Sequence, residues 1–285
     1  MNTMLLKPDW LTDAAWPFTT TSVDAGRGPV AVSERGTGRP LLFVHTGLWS
    51  FIWRDVMLDL SRDFRCISVD APSNGLSATV RSGRATLQES AHAIYAVIKE
   101  LALDDVTLVV HDLGGPAALA AVSCAPEIVR GIVAVNTFAW KPRNASLSAM
   151  LGVMGSAPMR EISVRTGWVA KLTATSFGVG RAFAGSDRDA FVRGMNARGV
   201  RAFHDYMASA KDSVDVYRRA EAALDALRDV PVLTIFGERN DPFHFQAEWH
   251  RRFPAAEQVV VPNGNHFPMC DDPGLVAASI RGWMR

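Results

Sequence analysis

Cysteine is scarce in this chain: 285 residues hold three, Cys66, Cys124 and Cys270. An odd number so widely spaced excludes a disulfide framework and a CxxC metal site. It fits a reducing compartment, and a cytoplasmic location is expected. No apolar run approaches the length needed to cross a bilayer. The first residues, MNTMLLKPDWLTDAAW, are too polar for a secretory h-region. A charge surplus is also missing. Lys and Arg total 30 against 29 Asp and Glu, a net charge of +1. That argues against nucleic acid and against an anionic membrane surface as partners. The seven histidines form no H-x-x-x-H or HExxH pattern, so no metal is expected. Gly26-Arg27-Gly28 lacks the third glycine and the following helix of a phosphate loop, so no nucleotide cofactor is expected either. Only a small-molecule substrate and water remain as partners, with a homodimer as an assembly state the sequence allows.

What the chain does have is apolar residues, at 48%. A chain of this length can bury roughly three quarters of its unfolded surface, so one large core is available. Short apolar runs bounded by turn residues recur at 41–44, 66–69, 106–110, 132–135, 232–236 and 259–261. Such runs suit strands covered on both faces. Between them lie helical patterns. Thr86 and Glu89 form a capping box, and Leu87, Ala91, Ile94, Ile98 and Leu101 then repeat along one helix face. The alternation predicts an α/β fold with a mostly parallel central sheet flanked by helices. The first strands, 19–24 and 30–35, have no helix between them, so an antiparallel start is expected.

The alternation stops after Asn136. From about Trp140 to Arg228 the patterns are helical, and strands resume at Val232. The chain is therefore expected to divide into a core at 1–138 and 229–285 and an inserted helical cap at 139–228, placed as a lid over the strand ends.

Three segments carry candidate chemistry. Val110-His111-Asp112-Leu113-Gly114-Gly115 joins an apolar strand to an Ala-rich helix. The two glycines allow the sharp turn that presents a nucleophile, with Asp112 where a serine usually stands. A helix-capping aspartate is the other reading of Asp112. Asp241 follows the strand at 232–236. His266 follows the strand at 259–261, with a satisfied loop histidine as its other reading. The three groups run in the chain order nucleophile, acid, histidine, each just after a strand.

Over nearly its whole length the chain resembles the α/β-hydrolase superfamily, and within it the haloalkane dehalogenases. The resemblance lies in LLFVH at 41–45, WSFIWRDV at 49–56, GLS at 75–77, VVHDLGGP at 109–116, NTFAWKP at 136–142 and NHFP at 265–268. It implies an α/β-hydrolase fold with a cap. It also implies Asp112 as nucleophile, His266 as base and Asp241 as acid. Asn136 stands where another branch of that family carries a carboxylate. The implied reaction is hydrolysis through an aspartyl ester, with His266 activating water for the second step. The oxyanion would be held by backbone N–H groups of Leu113 and of Thr46 or Gly47.

The leaving-group site departs from that family. Its usual Trp after the nucleophile is Leu113 here, and the loop His45-Thr46-Gly47-Leu48-Trp49 lacks its usual Asn. A halide would need an indole N–H from Trp49, Trp140 or Trp168, each of which also reads as core or lid packing. An epoxide hydrolase is the alternative enzyme. It would need lid phenols, and of three tyrosines only Tyr206 and Tyr217 could serve. On one unbroken helix they would lie roughly 16 Å apart along the axis. A third reading is a non-catalytic binder that keeps the triad but has lost leaving-group stabilisation.

Overall fold

The computed structural model describes residues 3–81 and 83–285. Nine strands form one sheet among them: β1 (Thr3–Met4), β2 (Thr19–Asp24), β3 (Pro29–Arg35), β4 (Pro40–Thr46), β5 (Arg65–Asp70), β6 (Val106–Asp112), β7 (Val129–Thr137), β8 (Val232–Gly237) and β9 (Glu257–Val261). Their order is β1-β2-β3-β5-β4-β6-β7-β8-β9. β1, β2 and β3 pair antiparallel, as does β3 with β5, and every pairing from β5 through β9 is parallel. The antiparallel start and parallel remainder follow the expectation from the missing first helix.

The parallel strands β4, β5, β6, β7 and β8 are buried on both faces, which is why they read as continuous apolar runs, whereas β9, at the sheet edge, is largely exposed, against the expectation for 259–261. In β4, Leu42 and Val44 face one core with Leu108 and Val110 of β6. Leu41 and Phe43 face the other with Val109 and Val133. The first core is closed by α2 (Leu87–Glu100) and α3 (Gly114–Val122), and the second by α1 (Arg54–Leu60) and a C-terminal helix. The capping box forms at the start of α2: Thr86 Oγ1 accepts from Glu89 N–H, and the Glu89 carboxylate accepts from Thr86 N–H.

Between β7 and β8 the chain is helical. It forms α4 (Ala145–Met154), α5 (Ala157–Thr166), α6 (Trp168–Thr173), α7 (Gly185–Gly194), α8 (Ala197–Asp212) and α9 (Val214–Ala226). α4, α6 and α8 roof a cavity at the carboxyl ends of the strands. α9 does not: Ala220, Ala223 and Leu224 pack into the core that α3 shares. After β8 come α10 (Phe245–Arg252), α11 (Pro268–Asp271) and α12 (Pro273–Trp283). No helix among the described residues is long and apolar enough to cross a membrane.

Candidate active site

Asp112 ends β6 with φ of 49°. A non-glycine residue in this left-handed region costs of order 1–3 kcal/mol and persists only where its surroundings impose it. Here they do. The Thr137 hydroxyl donates to the Asp112 carbonyl at 2.6 Å. α3 begins two residues later, pressed so closely on β4 that a Cβ at Gly114 would stand 2.5 Å from the Val44 carbonyl oxygen. A Cβ at Gly115 would overlap Thr137 Oγ1 and the Phe138 carbonyl. The two glycines thus let the helix start against the sheet, and the turn lifts the Asp112 carboxylate into the cavity.

His266 lies in the loop between β9 and α11, with Nε2 3.4 Å from Asp112 Oδ2. Burial pushes the Asp112 carboxyl up. The hydrogen bond and charge of His266, together with His111 and the Leu113 N–H, outweigh that and hold it below the usual carboxylate range. Asp112 is therefore ionised at neutral pH.

The residue behind the imidazole is not the expected one. His266 Nδ1 lies 3.0 Å from Asn240 Oδ1. Asp241 also lines the cavity, but its carboxylate accepts the N–H groups of Phe245 and Gln246 at 2.7 and 3.0 Å. It holds the first turn of α10, where unpaired N–H groups and the helix dipole favour an anion. The expectation of Asp241 as partner of His266 is corrected accordingly. Asn136, at φ of 36° near the end of β7, backs Asn240. Its Nδ2 is 3.3 Å from Asn240 Oδ1, and its Oδ1 accepts from Gly237 N–H at 3.0 Å.

Two further histidines sit beneath the site. His111 Nε2 lies 2.8 Å from the His266 carbonyl, and so donates to it and fixes that loop. His111 Nδ1 and His45 Nδ1 are 2.9 Å apart, so the His45 Nδ1–H is the donor of that pair. Burial pushes His45 down to about 3 and keeps it neutral.

The cavity above Asp112 measures about 570 Å³. Its roof is apolar, with Leu147, Met150 and Leu151 of α4, Leu172 of α6, and Phe203 and Met207 of α8. Among the expected oxyanion donors, Leu113 lines it. Thr46 and Gly47 do not: Thr46 Oγ1 pairs with Ser90 Oγ at 2.9 Å, and Gly47 N–H donates to Asn74 Oδ1 at 3.3 Å. Leu48, next on that loop, is the lining residue. Of the aromatic candidates only Trp168 lines the cavity. Trp49 is fully buried and donates to the Phe191 carbonyl at 3.2 Å. Trp140 packs edge-on against Trp249, with the Arg252 guanidinium 4.7 Å from its ring centroid. Tyr206 donates to the Pro72 carbonyl at 2.7 Å, outside the cavity. No group of three His, Cys, Asp or Glu able to hold a metal occurs among the described residues.

Asn240 is the site residue that sequence reasoning missed. The signal was present, because Asn240 and Asp241 are adjacent, but a one-residue choice of which side chain faces the imidazole depends on where α10 starts.

Comparison with known proteins gives a consistent picture. The chain is 29% identical over 272 residues to haloalkane dehalogenase 2 of Mycobacterium bovis, covering 93% of this chain and 94% of that one. It is 25% identical over 297 residues to the cis-3-alkyl-4-alkyloxetan-2-one decarboxylase of Xanthomonas campestris, covering 96% and 98%. In fold it matches the crystal structure of the haloalkane dehalogenase DatA from Agrobacterium tumefaciens C58, with a TM-score of 0.76 at 19% identity over 96% of this chain and 98% of that one. Residues 41–279 match the model of the alpha/beta hydrolase family, and the chain belongs to that family.

Proposed function

We propose that this protein hydrolyses small apolar substrates through a covalent ester on Asp112, with carbon–halide bonds as the substrate class. The observation that carries the reading is an ionised carboxylate, raised on a strained turn under an apolar cavity, with an imidazole nitrogen 3.4 Å away. The Asp112 carboxylate attacks an sp³ carbon in line with the leaving halide. The C–O bond forms as the carbon–halogen bond breaks, and the halide takes the electron pair. His266 Nε2 then takes a proton from water, and the resulting hydroxide attacks the ester carbonyl. Collapse releases an alcohol and restores the carboxylate. Leu113 N–H is one candidate oxyanion donor. Because Gly47 N–H is committed to Asn74, Leu48 N–H is the candidate for the other. Among the described residues, Trp168 supplies the one indole that lines the cavity.

The relatives support this reading, since one is named a haloalkane dehalogenase. Epoxide opening has less support. Tyr206 and Tyr217 donate to the carbonyls of Pro72 and Ala210 at 2.7 and 2.8 Å, and among the described residues no tyrosine lines the cavity. An alkoxide there has no phenol to protonate it.

A second reading is favoured by the weakness of the leaving-group site. In a 2-oxetanone, the class named for another relative, the leaving carboxylate remains attached to the substrate. Attack of Asp112 on the ring carbon bearing oxygen would break that C–O bond without halide donors. Loss of CO₂ would then form a C=C bond and expel Asp112 as carboxylate, with no water consumed.

Incubation with 1-bromohexane, styrene oxide or a dialkyl-2-oxetanone separates these readings. Bromide and hexanol are expected from the first, diol from an epoxide hydrolase, and alkene with CO₂ from the second. Asp112→Ala is expected to abolish turnover. Bromide release that persists in this variant rejects the ester mechanism, and no product from any probe favours a non-catalytic binder.

A further inference from the structure

We infer that Asn136 and Asn240 form an uncharged relay that fixes which nitrogen of His266 carries the proton, doing without charge what a carboxylate does in an ordinary catalytic triad. The consequence for turnover rests on the ester reading of Asp112; the relay itself does not.

The assignment starts from a group whose role is fixed. Gly237 N–H can only donate, and it lies 3.0 Å from Asn136 Oδ1. The other end of that amide is therefore the NH₂ group. It points at the carbonyls of Asn265 and His266, at 3.0 and 3.1 Å, which can only accept. The same NH₂ lies 3.3 Å from the Asn240 side chain, so the Asn240 atom there is its oxygen. That oxygen is 3.0 Å from His266 Nδ1, which must then carry the hydrogen. Held this way, the ring turns Nε2 toward Asp112 and the cavity; once Asp112 is a neutral ester, the neutral imidazole presents that nitrogen bare, the form a general base requires.

A carboxylate behind the ring would do two things: orient it and stabilise the imidazolium once Nε2 has taken a proton. An amide oxygen keeps the first and gives up most of the second. The groups facing His266 do not make up the loss. The Asp112 carboxylate is the anion beside it, and it becomes a neutral ester at the moment the base is needed. The His111 ring, with centroids 4.7 Å apart, is buried and neutral, and His45 lies behind His111. Phe267 is apolar. The Asp241 carboxylate is committed to α10, and Asp271 accepts from Asn265 N–H. Ester hydrolysis, rather than ester formation, is then the slow step in this chain.

The test is ¹⁵N NMR of histidine-labelled protein titrated from pH 5 to 9, on the wild type, Asn240→Asp and Asn136→Leu. The wild type is expected to show His266 with the hydrogen on Nδ1. Asn240→Asp is expected to keep that tautomer and raise the titration midpoint by roughly one to three units, the effect of an opposite charge at contact distance. Asn136→Leu, which frees the Asn240 amide to turn, is expected to admit the Nε2–H form. A neutral wild-type His266 with its hydrogen on Nε2 overturns the relay whether or not the variants fold, and so does an unmoved midpoint in a folded Asn240→Asp. The kinetic arm uses 1-bromohexane and intact mass. The wild type is expected to hold a detectable Asp112 ester during turnover, and Asn240→Asp several-fold less. Absence of any ester in the wild type and in His266→Gln counts against the ester mechanism and leaves the NMR result standing. Equal ester levels in wild type and Asn240→Asp count against the slow-hydrolysis inference.

Discussion

Asp241 is hydrogen-bonded to Phe245, carboxylate oxygen to backbone N–H, at 2.7 Å. The negative charge next in sequence to Asn240, the residue behind the histidine, is thus spent on starting a helix. Asp241→Ala is expected to cost about 1 kcal/mol of stability through the lost helix-start contact. It should leave the pH dependence of turnover where it was. Denaturant unfolding and a pH–rate profile check the two halves, and a profile displaced by a full unit would return Asp241 to the role of acid.

Tyr206 donates its hydroxyl to the Pro72 carbonyl while fully buried, and burial holds its phenol well above the usual range. Such a phenol is a poor acid and lies off the cavity. Tyr206→Phe is expected to cost about 1–3 kcal/mol, because it leaves a buried carbonyl unpaired. Product formation per folded molecule should be unchanged. A large selective loss of diol formation from styrene oxide would contradict this and revive the epoxide reading.

His45 couples stability to pH. Its imidazole titrates at about 3 in the folded chain against 6.5 ordinarily, chiefly because of burial. The folded state refuses a proton that the unfolded state takes. The stability at stake is therefore complete above about pH 6.5 and is lost as pH falls toward 3, at up to about 1.4 kcal/mol per unit. His111 is depressed in the same direction by burial and adds to the slope. Urea unfolding at pH 7, 6, 5 and 4 is expected to show this decline, and His45→Gln a shallower one. Parallel slopes would assign the decline to other groups.

Much of this architecture was legible because strand burial on both faces leaves continuous apolar runs, and because Thr86 with Glu89 marks a helix start in four residues. The bend at Asp112 was legible because only glycine fits the contacts made at 114 and 115. Three features were not. The choice between the adjacent Asn240 and Asp241 turns on where α10 begins. Trp49, Trp140 and Tyr206 all sit in apolar surroundings whatever their role, so residue type could not say that their polar atoms would meet backbone carbonyls or pack away from the cavity. That Asn74, far off in sequence, would claim the Gly47 N–H was not legible either. Long-range hydrogen bonds of this kind leave no trace in local spacing.

The most direct test of the ester mechanism is the mass of His266→Gln after exposure to 1-bromohexane, followed by peptide mapping. Removing the base blocks only the second step, so the variant is expected to gain one hexyl group, located on the peptide that contains Asp112. An unmodified Asp112 peptide, in a folded variant of a protein that releases bromide from the same compound, would contradict the account.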